Sequence, residues 1–418
     1  MSFRIALSGL NAASTDLEVT GNNIANASTI GFKESRAEFA DMYASAIQDT
    51  SKNAAGQGVQ VARIAQQFGQ GSVDFTSNNL DLAISGQGFF VLQNPDGTIS
   101  YTRAGAYSVD RNGYVINHAN DRLQVYPAVN GVGGTTTFNT GVLQDLQLPT
   151  TPSAPQPTSE VTASLNLNSS ETVPAVAFDP ANPASYNSST STTIYDSLGN
   201  PHTATFYFRK TANNAWDSYV YVDGNSIQTG TTTPPATADV ALSFSASGAL
   251  TSPAGGIATL STFTPSGGGA PLTIDLNLTG TTQYGAAFGV NNLIQDGYTS
   301  GRLAGVDIDT EGVIFARYTN GQSSALGKVA LAKFNNNQGL RQVGDTAWVE
   351  SYQSGAAQLG EAGTSSFGQI QSGALEASNV DVAEQLVNLI TAQRNFQANA
   401  KAISTGDQIT QAIINLAR

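Results

Sequence analysis

The chain has 418 residues and a net charge of -13, it contains no cysteine, and only 12% of its residues are charged. This length predicts more than one domain, and the absence of cysteine excludes disulfide bonds and thiolate metal sites. The 18 basic residues are scattered singly along an acidic chain, which argues against nucleic-acid binding.

The N-terminus predicts neither a membrane span nor a cleaved secretory signal. It carries one early arginine, Arg4, and has no apolar run of the length that a signal requires. No stretch of about 18 apolar residues occurs elsewhere in the chain. If the protein leaves the cell, we therefore expect a route without such a signal.

Residues 2 to about 26 are predicted to form one helix with an apolar seam. The seam follows a 4-3-4-3 spacing, typical of helices that pack against other helices. Ser14 and Gly21 fill two of its steps, and its apolar members are Phe3, Leu7, Leu10, Leu17 and Ile24. An ordinary N-terminal helix on a globular core is the alternative interpretation.

Residues 27–70 are predicted to be a connector with little structure of its own. A helical pattern runs from Ala37 to Ile47 and then dissolves into a polar, glycine-containing stretch. An extended stretch follows, from Val59 to Ile64.

Two separate segments, 71–146 and 291–378, are predicted to form one discontinuous β domain. The first shows short strands divided by the turn signals Asn94–Gly97 and Asp110–Gly113. The second carries the two-residue hairpin cue Asn320–Gly321 between two strands. Both patterns are typical of antiparallel sheets.

Residues 147–290 are predicted to be an inserted outer domain, a small β-barrel or sandwich. The block opens with a proline-rich junction at 149–157 and is dominated by Thr, Ser, Ala and Gly. Short runs of alternating Val, Ile, Tyr and Phe supply its strands. The junction and the stretch 285–297 are candidate hinges.

A second helix is predicted over 379–418, with Asp381 and Glu384 where the helix dipole favours acids. Gln393 and Ala400 lie on its seam, whose apolar members are Val382, Leu386, Leu389, Phe396 and Ile403. The predicted fold class is therefore α+β and mostly β. Its terminal helices pair as a coiled-coil-like inner layer, and two antiparallel β domains lie in the middle of the chain, the outer one an insertion.

The sequence predicts no enzyme, no cofactor and no metal site. His118 and His202 are the only histidines, far apart and each in a β or turn context. Asp307 and Asp309 flank a turn, where solvation explains them. No nucleophile elbow, phosphate loop or zinc-protease helix occurs.

Several motifs resemble the signatures of bacterial flagellar rod and hook proteins. They are Ala6-Leu-Ser-Gly-Leu-Asn-Ala-Ala, Thr29-Ile-Gly-Phe-Lys33, Leu80 to Phe90, Tyr101 to Tyr107, and the C-terminal runs from Ser378 and Gln393. The block at 147–290, with Thr193 to His202, resembles the hook type rather than the shorter distal rod type. The positions that carry the terminal resemblance are Gly21, Asn22, Asn23, Ile24, Ala25, Asn26, Gly31, Phe32, Asn379, Asp381, Gln393, Arg394 and Asn399.

The resemblance implies a structural subunit that polymerises into a flexible helical tube, a universal joint between rod and filament and a channel for export. The implied partners are further copies of the chain, the distal rod protein and the hook–filament junction protein, with the hook cap and the type III export apparatus as transient partners. The implied location is the extracellular hook, reached through flagellar type III export. A distal rod protein with an insertion and a surface adhesin are the alternatives. We also expect the terminal helices to be disordered in the monomer, because long helices without partners are marginal in water.

Overall fold

The computed structural model describes residues 2–42, 56–130, 136–364 and 366–416. Two helices, α1 (Ser2–Ala25) and α2 (Val382–Leu416), occupy the ends of the chain and pack on each other. The described residues between them form almost entirely antiparallel sheets. The predicted α+β, mostly β, class is confirmed.

The described residues divide into two compact units. Unit 1 takes Met1–Thr150, Gly305–Arg317 and Ser323–Arg418, and unit 2 takes Thr151–Ala304 and Tyr318–Gln322. The first set of strands belongs to unit 1: β1 (Ser35–Asp41), β2 (Val59–Gln66), β3 (Val73–Phe75), β4 (Leu82–Ser85), β5 (Phe89–Gln93), β6 (Ile99–Thr102), β7 (Ser108–Val109), β8 (Val115–Ile116), β9 (Arg122–Asn130), β10 (Thr136–Phe138) and β11 (Gln144–Asp145).

The strands of unit 2 follow in the chain. They are β12 (Glu160–Asn166), β13 (Ser188–Tyr195), β14 (Pro201–Ala212), β15 (Ala215–Val222), β16 (Asn225–Ser226), β17 (Val240–Phe244), β18 (Leu250–Ser252), β19 (Ile257–Thr259), β20 (Asp275–Asn277) and β21 (Gly289–Gln295). The final set leads to α2: β22 (Leu303–Ile308), β23 (Val313–Tyr318), β24 (Ser323–Lys333), β25 (Arg341–Gly344), β26 (Ala347–Val349), β27 (Gln358–Glu361), β28 (Gln369–Ser372) and β29 (Ala374–Glu376).

The body of unit 1 is one large sheet in the order β22-β23-β24-β9-β5-β6-β26-β25, with shorter strands at its margins. Strands from both halves of the chain build it, since β9, β5 and β6 lie between β24 on one side and β26 on the other, and β24 pairs with both β5 and β9. Its aromatic core includes Phe89, Tyr101, Phe334 and Trp348. Two short pairs, β28 with β4 and β29 with β3, fasten the chain just before α2 to this body.

The helical pattern predicted from Ala37 to Ile47 is wrong over residues 37–41, which belong to β1; residues 43–47 lie outside the described part of the chain. β1 pairs with β2 from Ser35↔Gln66 to Asp41↔Val59, with a bulge between Glu38 and Phe39. Hydrogen bonds to a strand distant in sequence override a local periodicity. Among the described residues of the segment 27–70, β1 and β2 thus form a two-stranded sheet packed beside α1, and the predicted extended stretch from Val59 to Ile64 lies within β2.

Unit 2 is a sandwich of two sheets over one apolar core. One sheet has the order β19-β20-β12-β21, in which β12 and β20 are parallel, and the other has the order β13-β14-β15-β17-β18. The sequence of β14 illustrates why each sheet has one face in the core. Its residues alternate between buried and partly exposed, as a half-buried strand requires. Residues 289–295, part of the candidate hinge at 285–297, form β21 inside this unit and pair with β12.

Candidate functional site at the terminal helices

The helices α1 and α2 pack antiparallel through small and polar residues. Asn23 near the end of α1 meets Gln385 near the start of α2, and Gly9 lies against the side chain of Asn399 further along. Over the described parts of the two helices, the buried positions are Ala6, Ala12, Ala13, Val19, Thr20 and Asn23 on α1, which also packs against β1 and β2, and Gln385 and Ala392 on α2. Small side chains allow the two backbones to approach closely.

The predicted apolar seam of α1 is not the face that α2 covers. The covered face includes Ala6, Ala13 and Thr20, whereas the seam positions Leu7, Ser14 and Gly21 each follow one of these by one residue. One residue corresponds to a rotation of about 100°. The seam is therefore turned partly away from α2.

The individual seam residues fall into two groups. Phe3, Leu7, Val382 and Leu386 are 50%, 42%, 43% and 46% exposed, respectively. The others are half-buried: Leu10, Leu17, Ile24, Leu389, Phe396 and Ile403. Further exposed apolar residues of the two helices are Ile5, Val387, Ile390, Ile409 and Ile414. The single chain thus leaves much of its helical apolar surface open to solvent.

Asn23 is the polar centre of the helix pair. Its amide Nδ2 donates to the carbonyl oxygen of Ser35 at 2.7 Å and to Gln385 Oε1 at 3.1 Å, and its Oδ1 accepts from the Ser35 N–H at 3.0 Å. Gln385 Nε2 donates in turn to Glu34 Oε1 at 2.9 Å. These bonds join α1, α2 and the start of β1 in one network that is buried at the Asn23–Gln385 contact and partly buried elsewhere, and buried polar groups need such partners.

Two motif residues fix the start of α2. Asn379 Oδ1 accepts from the Glu34 N–H at 2.8 Å, and its Nδ2 donates to the Gln67 carbonyl at 2.8 Å. Asp381 caps the helix, because its Oδ1 accepts from the N–H groups of Ala383 and Glu384. Both side chains therefore hold local backbone geometry.

The motif residues after the helical part of α1 shape a tight passage into the body. Gly31 has φ +69°, and a Cβ there would lie 2.5 Å from the Ala104 nitrogen, so only glycine fits. Phe32 is buried beside it. Asn26 Nδ2 donates to Asn22 Oδ1 and to its carbonyl oxygen, both at 2.9 Å, which closes the last turn of the helix.

The remaining motif residues lie on the helix surfaces. Gly21, Ala25, Gln393 and Arg394 are exposed, and Asn399 is half-buried against Gly9. The structure gives these four exposed positions no role inside the chain.

A buried charge cluster lies where both terminal segments enter the body. Lys33 Nζ is 2.5 Å from Glu376 Oε1, and Arg103 Nη1 is 3.1 Å from Glu376 Oε2. The side chains of Lys33 and Glu376 are fully buried. Burial lowers the pKa of both Lys33 and Arg103, while the carboxylate opposes that shift.

Sequence reasoning missed Glu376, Gln385 and the pairing of both Lys33 and Arg103 with Glu376. Lys33 and Arg103 lie inside recognised motifs, but nothing in their local pattern indicates that one distant carboxylate binds both. The available signal was their type, because charged residues are scarce in this chain and a charged residue is almost never fully buried unless it is paired.

The two histidines lie outside this region. His118 is exposed, 3.5 Å from Asp345, and His202 lies between Asp196 and Asp223. Within the described ranges no cluster of three or more His, Asp or Glu side chains could hold a metal ion. Over the same residues no helix is long and apolar enough to cross a membrane.

Family models match most of the chain in order, and they define its class as a flagellar rod or hook axial protein. They are "Flagella basal body rod protein" at residues 3–33, "Flagellar hook protein FlgE/F/G D1 domain" at 83–164, "Flagellar basal body protein FlaE D2 domain" at 166–298, and "Flagellar basal body rod FlgEFG protein C-terminal" at 371–416.

Full-length relatives narrow this class to one family. The chain is 40% identical to the flagellar hook protein FlgE of Salmonella typhimurium and equally to that of Escherichia coli K12, with 100% of each chain covered in both cases. The chain belongs to the flagellar hook protein FlgE family. Proteins of this family are structural and are not enzymes.

The fold has a counterpart among solved structures. The crystal structure of Helicobacter pylori flagellar hook protein FlgE2 matches 73% of this chain and 100% of its own, with a TM-score of 0.53 and 16% identity. At that identity the likeness supports the fold alone.

Proposed function

We propose that this chain is the structural subunit of a flagellar hook, polymerising into a flexible helical tube. The tube would transmit torque from rod to filament as a universal joint and serve as a channel for exported proteins. Family membership supports the structural role in the hook, and the geometry of the terminal helices supports assembly.

The observation that carries the proposal is the apolar surface left open by the helix pair. Within one chain α1 and α2 meet through Ala6, Ala13 and Ala392, while Phe3, Leu7 and Leu386 remain about half exposed. Apolar stripes of this kind are stabilised when buried. Further copies of the same chain present matching stripes, and heterologous contacts that do not close build an open helix.

We assign the subunit contacts of the inner tube to the predicted seam residues. The exposed seam residues supply apolar surface that neighbouring copies can bury. The half-buried seam residues extend the contact within and between chains. These residues are Phe3, Leu7, Leu10, Leu17, Ile24, Val382, Leu386, Leu389, Phe396 and Ile403.

The specific partner proteins implied by the resemblance belong to the same proposal. The distal rod protein and the hook–filament junction protein would contact the two ends of the polymer, and the hook cap and export apparatus would bind the chain in passing. The proposed location is the extracellular hook, reached by flagellar type III export.

Immunogold electron microscopy of intact cells tests the proposal, with an antibody against residues 147–290. Gold along a short curved segment between envelope and filament is the expected result. Gold scattered over the cell surface would support an adhesin instead. Labelling only after the envelope is stripped would support a distal rod protein.

A further inference from the structure

We infer that Glu376 is a positioning residue that fixes both terminal helices to the β body of unit 1. Force on the helices then reaches the body without rotation about the segments that connect them. The inference rests on the proposed function and adds the route by which load leaves the inner layer. It concerns only residues within unit 1.

The position of Glu376 in the chain gives it this role. Lys33 lies on the segment that follows α1, and Glu376 ends β29, the last strand before α2. These two segments connect the helix pair to the body. A covalent connection alone would let the helix pair rotate relative to the body, because single bonds in each segment can rotate.

Several contacts join the two segments at this point. Lys33 Nζ contacts Glu376 Oε1 at 2.5 Å and donates to the Gly69 carbonyl at 2.7 Å. The Gly71 N–H donates to the same Glu376 oxygen at 3.1 Å, and the Gly31 N–H donates to the Glu376 carbonyl at 2.8 Å. The exit from α1, the chain after β2 and the approach to α2 therefore meet on one residue.

Arg103 anchors the same carboxylate to the body. Its Nη1 binds Glu376 Oε2 at 3.1 Å, and its Nη2 donates to the Gly86 carbonyl at 2.8 Å. Its guanidinium lies 5.4 Å from the centre of the Phe89 ring, in the aromatic core. Both oxygens of Glu376 are thus used, one towards the helix side and one towards the body.

The chemistry suits a fixed joint better than apolar packing would. Apolar side chains of similar volume often stabilise a buried site as well as an ion pair does. They tolerate sliding, whereas charge-assisted hydrogen bonds fix both distance and direction. Removing the carboxylate would also leave two buried cations, Lys33 and Arg103, without their counter-ion.

The absence of cysteine permits a direct measurement of the joint. Gln397→Cys on α2 and Arg111→Cys on the body, both exposed positions, accept a pair of spin labels. Labelled full-length chain is polymerised in an excess of unlabelled chain. Pulsed electron paramagnetic resonance then gives the distribution of distances between the two labels of one chain. We expect Glu376→Gln to at least double the width of that distribution.

Glu361→Gln is the matched control. It breaks another ion pair of unit 1, with Lys328 Nζ at 2.6 Å from Glu361 Oε2 and the Lys328 side chain only 8% exposed. That pair lies in the large sheet, between β24 and β27. We expect it to lower the stability of the body while leaving the helix-to-body distribution as narrow as in the parent chain.

Each outcome bears on the inference. An unchanged width in Glu376→Gln polymers overturns it, and so does equal broadening in Glu361→Gln, which would show general loosening. Should Glu376→Gln not assemble, Glu376→Asp keeps the charge and shortens its reach, and an unchanged width there overturns the inference too. Failure of the labelled parent chain to polymerise refutes the proposed function itself.

Discussion

Replacing Gly9 by leucine tests whether close approach of α1 and α2 drives assembly. A Cβ built on Gly9 would lie 2.7 Å from Asn399 Oδ1 and 2.9 Å from both its Cγ and its Nδ2. Real Cβ atoms essentially never lie within 3.0 Å of such an atom, so Asn399 must move or the helices must separate.

The expected change in packing free energy on replacing Gly9 is the sum of three terms. Alanine at position 9 gains about 1 kcal/mol of helix propensity over glycine. Displacing Asn399 costs its Nδ2 bond to the Asn395 carbonyl, 2.9 Å long, about 0.5–1.5 kcal/mol. Gly9→Ala is therefore nearly neutral, whereas Gly9→Leu adds atoms that the seam cannot hold and loses about 1–3 kcal/mol.

The assay is the critical concentration for polymerisation of the purified chain, which reports packing energy in the assembled state. A loss of about 1–3 kcal/mol raises this concentration about 5- to 150-fold. Gly406→Leu is the control, because a Cβ at Gly406 has no neighbouring atom within 4 Å in the chain and Gly406 is not one of the predicted seam positions of α2. Equal critical concentrations for Gly9→Leu and Gly406→Leu would refute the reasoning.

Three further predictions concern the surface, the monomer and pH. Leu7→Asn, on the exposed seam, should abolish polymerisation while leaving urea unfolding of the monomer unchanged; normal polymers would contradict it. Trypsin should remove the terminal segments from monomers and spare them in polymers, and equal cleavage would contradict the expected disorder in the monomer. Burial raises the pKa of Asp239 above 3.8, so its protonated form favours folding and that stability is lost as pH rises through the folded pKa. The urea stability of Asp239→Asn relative to the parent should therefore increase from about pH 4 to about pH 7, and a pH-independent difference would contradict the reasoning.

The location of the terminal helices followed from the sequence because their periodicity is long. The predicted helix over residues 2 to 26 and the observed Ser2–Ala25 differ by one residue at the C-terminal end. The β nature of the centre followed from turn signals such as Asn320–Gly321, where the chain turns between β23 and β24. These signals are local, and a single segment carries each of them.

Which face of α1 meets α2 was decided only by the tertiary structure. The apolar periodicity marks Leu7, Leu10 and Leu17, but the paired face runs through Ala6, Gly9 and Ala13. A stripe shows that a face must be buried, and it does not say whether the same chain or another copy buries it. Small residues carry little hydrophobic signal, yet they permit the closest approach.

The β1–β2 sheet and the charge cluster on Glu376 also required the folded chain. Residues 37–41 have a helical pattern, and only the partner strand β2 makes them extended. Lys33 and Glu376 lie 343 positions apart in sequence. By itself the sequence determined which residues form long helices and that the middle is β-structure, because those choices depend on neighbours in the chain. The folded chain alone decided which helix face is shared and which charges meet, because those pairings depend on segments brought together from opposite ends of the chain.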